Sequence, residues 1–290
     1  MDLATFAVQL LNALQYGLVL FLVASGLTLV FGILGVINLA HGAFYMLGAY
    51  LAYWIAAATG SFAAALVGGV AIAFVAGLLL EDVFVRRLYG RDHLAQVLLS
   101  FAMILILDEV RQILFGKDVN SVAPPLALQG SIQLTDVLSY PVYRIAVCLF
   151  CLAVAAAIFV VLRYTRIGMI VRAGAENREM TRALGIPFDR LNRYVFATGI
   201  ALAALAGIVV APISSVYPGM GDGMLILSFV VVVLGGLGSV AGAAIGALVI
   251  GFADTFGKVL FPSASSISVY LVMALVLLWR PNGILGRREA

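Results

Sequence analysis

Nine apolar runs alternate with short polar breaks along the chain, at 7–32, 36–58, 62–84, 94–115, 141–162, 194–216, 224–239, 242–261 and 266–279. Most are close to the roughly twenty residues that carry a helix across the hydrocarbon layer of a bilayer. Lipid offers no hydrogen bonds, so a spanning segment is either a helix or a strand of a closed barrel. Barrel strands alternate polar and apolar positions over about ten residues, whereas these runs are continuously apolar. The pattern therefore predicts an all-α, polytopic integral membrane protein, one membrane domain over residues 1–290. About 8–10 transmembrane helices are expected, some broken or re-entrant. The run 224–239 is short and ends in Gly235-Gly236-Leu237-Gly238, so it either crosses or re-enters.

The polar breaks sort by charge. Thirteen of the seventeen basic residues fall in three segments, 86–91, 163–193 and 280–288. Loops that stay in the cytoplasm concentrate Lys and Arg, so all three are expected there. Three crossings before Arg86 put the N-terminus outside. Two more place Gly116–Tyr140 outside and return the chain at Arg163. Four further runs bring Arg280 and the C-terminus to the inside, nine crossings in all.

Composition narrows the class. Of 290 residues 64% are hydrophobic and 11% charged, against roughly a quarter charged in soluble domains. The net charge of +3 is small and localised, which marks topology rather than affinity for nucleic acid. Cys148 and Cys151 share one apolar run with no second pair and no suitable His nearby, so they read as small core residues, and no cofactor or metal is expected. No Lys or Arg precedes Arg86, so the first run is expected to remain as an anchor.

Polar groups at bilayer depth are costly and need a reason. The densest case is Asn38-Leu39-Ala40-His41-Gly42. Three residues apart, Asn38 and His41 would share one helix face; they either hydrogen-bond between helices or line a conduit or gate. Gly235, Gly236 and Gly238, continued by Gly242 and Gly246, either let helices pack closely or form a hinge beside a pathway. Asp108, Glu109 and Arg111 predict an ion pair at headgroup level, and Asp254 and Lys258 an i, i+4 pair. Gln9, Asn12 and Gln15 form a stripe facing other helices or a cavity.

The longest charged break, Arg163–Arg193, holds seven basic residues. Within it Arg172–Leu184 reads as a short amphipathic helix, stopped by Gly185 and then Pro187; alternatively Asn177 caps a shorter helix from Arg178. So short a helix is marginal in water. The segment is either a solvated loop that sets topology or a docking helix for a cytoplasmic partner.

At these residues the chain resembles a known family. Thr165, Gly168, Arg172-Ala173, Glu176-Asn177-Arg178 and Ala183-Leu184-Gly185-Ile186 are similar to the coupling loop of the branched-chain amino-acid ABC transporter permeases. Gly26–Gly32 with Gly35–Gly42 resembles that family's N-terminal signature, and Leu234–Gly242 its late glycine-rich one. The chain departs from the pattern at Ala43, where many members carry an acidic residue. The resemblance implies a permease subunit for leucine, isoleucine and valine, with urea, short amides or other amino acids as alternatives. It implies a bacterial inner-membrane location, a second related permease subunit, two cytoplasmic ATPase subunits gripping the loop, and a periplasmic binding protein. No phosphate-binding loop is present, because neither Gly116-Lys117 nor Gly257-Lys258 is followed by Ser or Thr, so the chain is not expected to be an enzyme. A proton- or sodium-coupled transporter would want acidic groups at mid-membrane, and here they lie towards span ends or in loops.

Overall fold

The computed structural model describes residues 3–133, 139–262 and 265–286. Each apolar run becomes one long helix: α1 (Leu3–Leu34), α2 (His41–Thr59), α3 (Phe62–Val83), α4 (His93–Phe115) and α5 (Val142–Tyr164). Two short helices, α6 (Arg166–Glu176) and α7 (Arg178–Ala183), lie in the charged break, followed by α8 (Phe188–Val210), α9 (Met220–Gly235), α10 (Val240–Leu260) and α11 (Ser265–Trp279). A small antiparallel pair, β1 (Ser131–Gln133) with β2 (Ser139–Pro141), closes the loop before α5. Among the described residues, five helices, α1, α3, α5, α8 and α10, are by length and composition long and apolar enough to cross a membrane.

α1 is the axis of the bundle. In its most apolar window 89% of residues are buried, against 11% in α5, so α1 meets protein on all sides while α5 stands at the edge. α10, α8, α9 and α5 all pack on α1. Small residues set these crossings. A Cβ on Gly251 of α10 would lie 2.6 Å from the Gly17 Cα, one on Gly26 would lie 2.5 Å from the Gly199 carbonyl oxygen of α8, and one on Gly32 would lie 3.0 Å from the Gly238 Cα. With no apolar driving force between helices in lipid, such backbone approach is what holds them together.

The loops gather at two ends. At one, Arg86 pairs with Asp189 at 2.7 Å and Arg193 with Asp82 at 2.8 Å. The stretch after α11 joins that of α9 there, the Ile284 and Leu285 amides donating to the Leu234 and Gly235 carbonyls at 2.8 and 3.1 Å. At the other end Asn120 and Val216 exchange backbone hydrogen bonds at 2.8 Å. The described parts of the three basic segments thus share one end; Arg287 and Arg288 lie outside the described residues. α9 runs from the Val216 end to the Leu285 end, so 224–239 traverses the bundle rather than re-entering.

Two sequence expectations are corrected. Asn38 does not share a helix face with His41, because α2 begins at His41 and Asn38 sits in the connection from α1. Arg172–Leu184 is not one helix: α6 ends at Glu176 and Asn177 starts α7, its Oδ1 accepting from the Met180 amide at 2.9 Å. Asn177 has extended backbone (φ −147°, ψ 99°), and its carboxamide competes with the helix for the amides ahead, which is why N-caps interrupt a helical run.

Candidate functional site

The coupling-loop candidates form a braced projection. Thr165 caps α6 by accepting from the Gly168 amide at 3.2 Å. Gly168 lies directly on the Leu162 and Val161 carbonyls, and a Cβ on Gly174 would meet the Phe188 ring at 2.8 Å. Phe188 is buried, so Gly174 seats the start of α8 against α6. Arg182 holds its guanidinium 5.7 Å from the Phe188 ring centroid and 3.9 Å from Asp189. Gly185 ends the projection with φ +81°, its amide donating to the Arg182 carbonyl at 2.9 Å.

The outward surface of this projection mixes charge and apolar area. Arg172, Ala173, Glu176, Asn177, Ala183 and Gly185 are exposed; the Arg178 side chain lies outside the described part. Ile167, Met169, Met180 and Leu184 are more than half exposed, Leu184 at 75%. A short helix tipped with uncovered apolar side chains among arginines is a surface suited to a groove in a partner.

Asn38 and His41 lie inside the bundle. His41 is fully buried, its Nε2 2.9 Å from the Val23 carbonyl oxygen of α1. Asn38 is 2% exposed and its Oδ1 accepts from the Ala40 amide at 3.1 Å, closing the turn that leads into α2. Gly35 permits that turn with φ +65°. Gly42 packs against the Gly221 carbonyl and would meet the Leu225 Cβ at 2.7 Å.

Gly235, Gly236 and Gly238 make the reversal between α9 and α10. Gly236 and Gly238 have φ of +101° and +80°, Gly235 lies against Gly242 of the next helix, and a Cβ on Gly236 would meet the Gly286 Cα at 2.5 Å. The three signature segments converge at the end of α1. A cavity of about 550 Å³ is lined by Thr28 and Gly32 from the first, Arg172 and Ala175 from the second, and Gly238 and Ser239 from the third. Asn38, His41, Gly42, Gly235 and Gly236 do not line it.

Several contributors were not legible in the sequence. Thr28 reads as one more residue of an apolar run, yet it borders the cavity and its buried hydroxyl has no partner among the described residues. Glu81, fully buried near the end of α3, accepts from the Tyr89 hydroxyl at 2.8 Å. Arg111 pairs with Asp108 at 2.9 Å as expected, but is 2% exposed and lies 5.8 Å from the Tyr50 ring centroid, so it is an internal brace rather than a headgroup contact. Asp254 and Lys258 form the expected pair at 2.6 Å. Asn12 takes Gln9 at 3.2 Å and Arg144 of α5 at 2.8 Å, so that stripe faces a neighbouring helix.

A bundle of long apolar helices, clasped by glycines around a buried axis and carrying one charged projection, defines a polytopic membrane permease. Residues 9–279 match the family described as branched-chain amino acid transport system / permease component, and the chain belongs to that family. It is 33% identical to the high-affinity branched-chain amino acid transport system permease protein BraD of Pseudomonas aeruginosa, covering 97% of this chain and 96% of that one. It is 33% identical to the corresponding protein LivH of Escherichia coli K12, over 98% and 96% of the two chains. A stretch covering 42% of the chain is 35% identical to 40% of the E. coli K12 ribose import permease protein RbsC.

Proposed function

We propose that the chain is the transmembrane permease subunit of an ATP-driven importer of leucine, isoleucine and valine, and forms half of the translocation pathway. Its similarity to BraD and LivH along almost its whole length carries this reading. It pairs with a second homologous permease in the bacterial inner membrane. Two ATPase subunits dock on α6 and α7, and a periplasmic binding protein delivers the amino acid. ATP is hydrolysed on the ATPase subunits. Proteoliposomes holding the complete complex take up labelled leucine only with ATP inside and the matched binding protein outside, and valine and isoleucine compete. ATP-dependent uptake of urea or a short amide with none of leucine would overturn the substrate.

In this reading the basic end is cytoplasmic, the N-terminus periplasmic and the C-terminus cytoplasmic. Leu184 and Val119, 75% and 66% exposed at opposite ends, test it. In a cysteine-free background, an impermeant thiol reagent added to intact spheroplasts labels V119C and spares L184C. The reverse pattern sinks the orientation and the ATPase docking with it.

Asn38, His41 and Gly42, with Gly235, Gly236 and Gly238, flank the ends of the helices that move in the transport cycle, and act as its gate or hinge. His41 ties α2 to α1 through one hydrogen bond. His41→Ala lowers uptake per molecule about fivefold, the scale of one interhelical hydrogen bond of roughly 1 kcal/mol, while membrane level falls less than twofold. His41→Gln, which keeps a donor, recovers most of the rate. Uptake normalised to quantified protein reads both; an unchanged rate for His41→Ala at normal level removes the role.

A further inference from the structure

We propose that the groove between α5 and α10, beside the last turns of α1, holds one anionic phospholipid of the cytoplasmic leaflet. α5 and α10 both pack on α1, and the cavity of about 550 Å³ is the space left between them. Its depth is that of one leaflet. Lining residues on α1 run from Phe21 to Ile33, twelve residues at 1.5 Å each, or about 18 Å; half of the hydrocarbon layer is about 15 Å.

The wall is polarised along that depth. Its deep part is apolar, with Phe21, Ala155 and Phe159, and its mouth carries Arg163 and Arg172. Both arginines are exposed, and neither makes an ion pair among the described residues. Among the described residues, none that is acidic lines the groove. An apolar trough one acyl chain deep, ending in two free guanidiniums at the membrane surface, complements a phosphate head carrying acyl tails; basic pockets between transmembrane helices on the cytoplasmic side bind such heads.

The lipid is a structural ligand. Arg172 belongs to α6 and Arg163 to α5, so one phosphate held by both ties the coupling projection to the bundle. This rests on the proposed orientation, because the leaflet is assigned through it.

The test is native mass spectrometry of the full-length protein in its complex, released from nanodiscs of phosphatidylethanolamine with phosphatidylglycerol. We expect phosphatidylglycerol to be retained in preference to phosphatidylethanolamine. Arg163→Ala with Arg172→Ala lowers its retention about tenfold, the two charge-assisted contacts together being worth roughly 1.4 kcal/mol or more. The Lys pair, which keeps both charges, retains it. Equal retention by the wild type and the Ala pair overturns the proposal, as does displacement of the lipid by leucine, which would make the groove part of the substrate path. A protein that binds the lipid through these arginines but fails the thiol-labelling test keeps the site and loses only the leaflet.

Discussion

Gly207→Leu lowers the yield of folded permease at least about tenfold. Gly207 of α8 lies against the backbone of α2: the Tyr45 carbonyl oxygen occupies the place of its missing Cβ, and the Ala49 nitrogen is 3.0 Å from it. One turn away the approach is reciprocal, because a Cβ on Gly48 of α2 would lie 2.6 Å from the Ala204 Cα of α8. The obstructing atoms are backbone on both sides, so no rotamer change relieves the clash. Overpacking a core that can adjust costs about 1–3 kcal/mol; here a four-carbon side chain must open a buried helix crossing, and whole domains hold only about 5–15 kcal/mol.

Gly223 of α9 is the control. It is exposed and nothing lies within 4 Å of an added Cβ, so Gly223→Ala keeps or raises stability, alanine being about 1 kcal/mol better than glycine in a helix. Detergent extracts of fluorescent fusions, followed by size-exclusion chromatography, read both. We expect the monodisperse peak of Gly207→Leu to fall at least about tenfold, a loss of roughly 1.4 kcal/mol or more, and that of Gly223→Ala to stay. A wild-type peak for Gly207→Leu would show that α2 and α8 do not cross as described.

Asn177→Ala combined with Gly185→Val disconnects the permease from its ATPase subunits and leaves the bundle intact. α7 has only six residues, far too few to persist alone. It is held by a cap at each end. Loss of the Asn177 cap costs about 1 kcal/mol, and a β-branched residue at the φ of +81° occupied by Gly185 costs a further 1–2 kcal/mol or so. Together, about 2–3 kcal/mol lowers the ratio of ordered to disordered helix roughly 30- to 150-fold. The surface lost with it includes Met180 and Leu184. Co-purification of the ATPase subunits and ATP-driven uptake therefore fall at least about tenfold, while yield and elution volume of the permease hold. Undiminished co-purification would remove α6 and α7 as the docking surface. The single Asn177→Ala variant gives an intermediate loss, because Gly185 still stops the helix.

Apolar runs and helices agree in number and order because a membrane helix must satisfy its own backbone, whatever its neighbours. Boundaries were least legible where polar residues continue a helix. α8 begins at Phe188, six residues before the apolar run, because Asp189, Arg190 and Arg193 are exposed or paired at its first turns. The late signature was legible as glycines that either pack helices closely or form a hinge; that they make the reversal between α9 and α10 came from the structure, where Gly236 and Gly238 adopt a φ that glycine alone takes without strain. The pair Asn38/His41 was legible as polar residues needing partners, but not as a turn closure and an interhelical strut. Spacing of three implies a shared face only where both residues are helical, and α2 starts between them.

Residue chemistry alone determined that this chain is a helical membrane protein, where its helices lie, and which of its loops share an end, because lipid solvation and charge placement act on each segment separately. Tertiary structure decided that α1 is the axis, that glycines meet glycines across its crossings, and that Thr28, Arg172 and Gly238 border one cavity. Those are contacts between segments far apart in the chain, and packing resolves them only when all the helices are in place together.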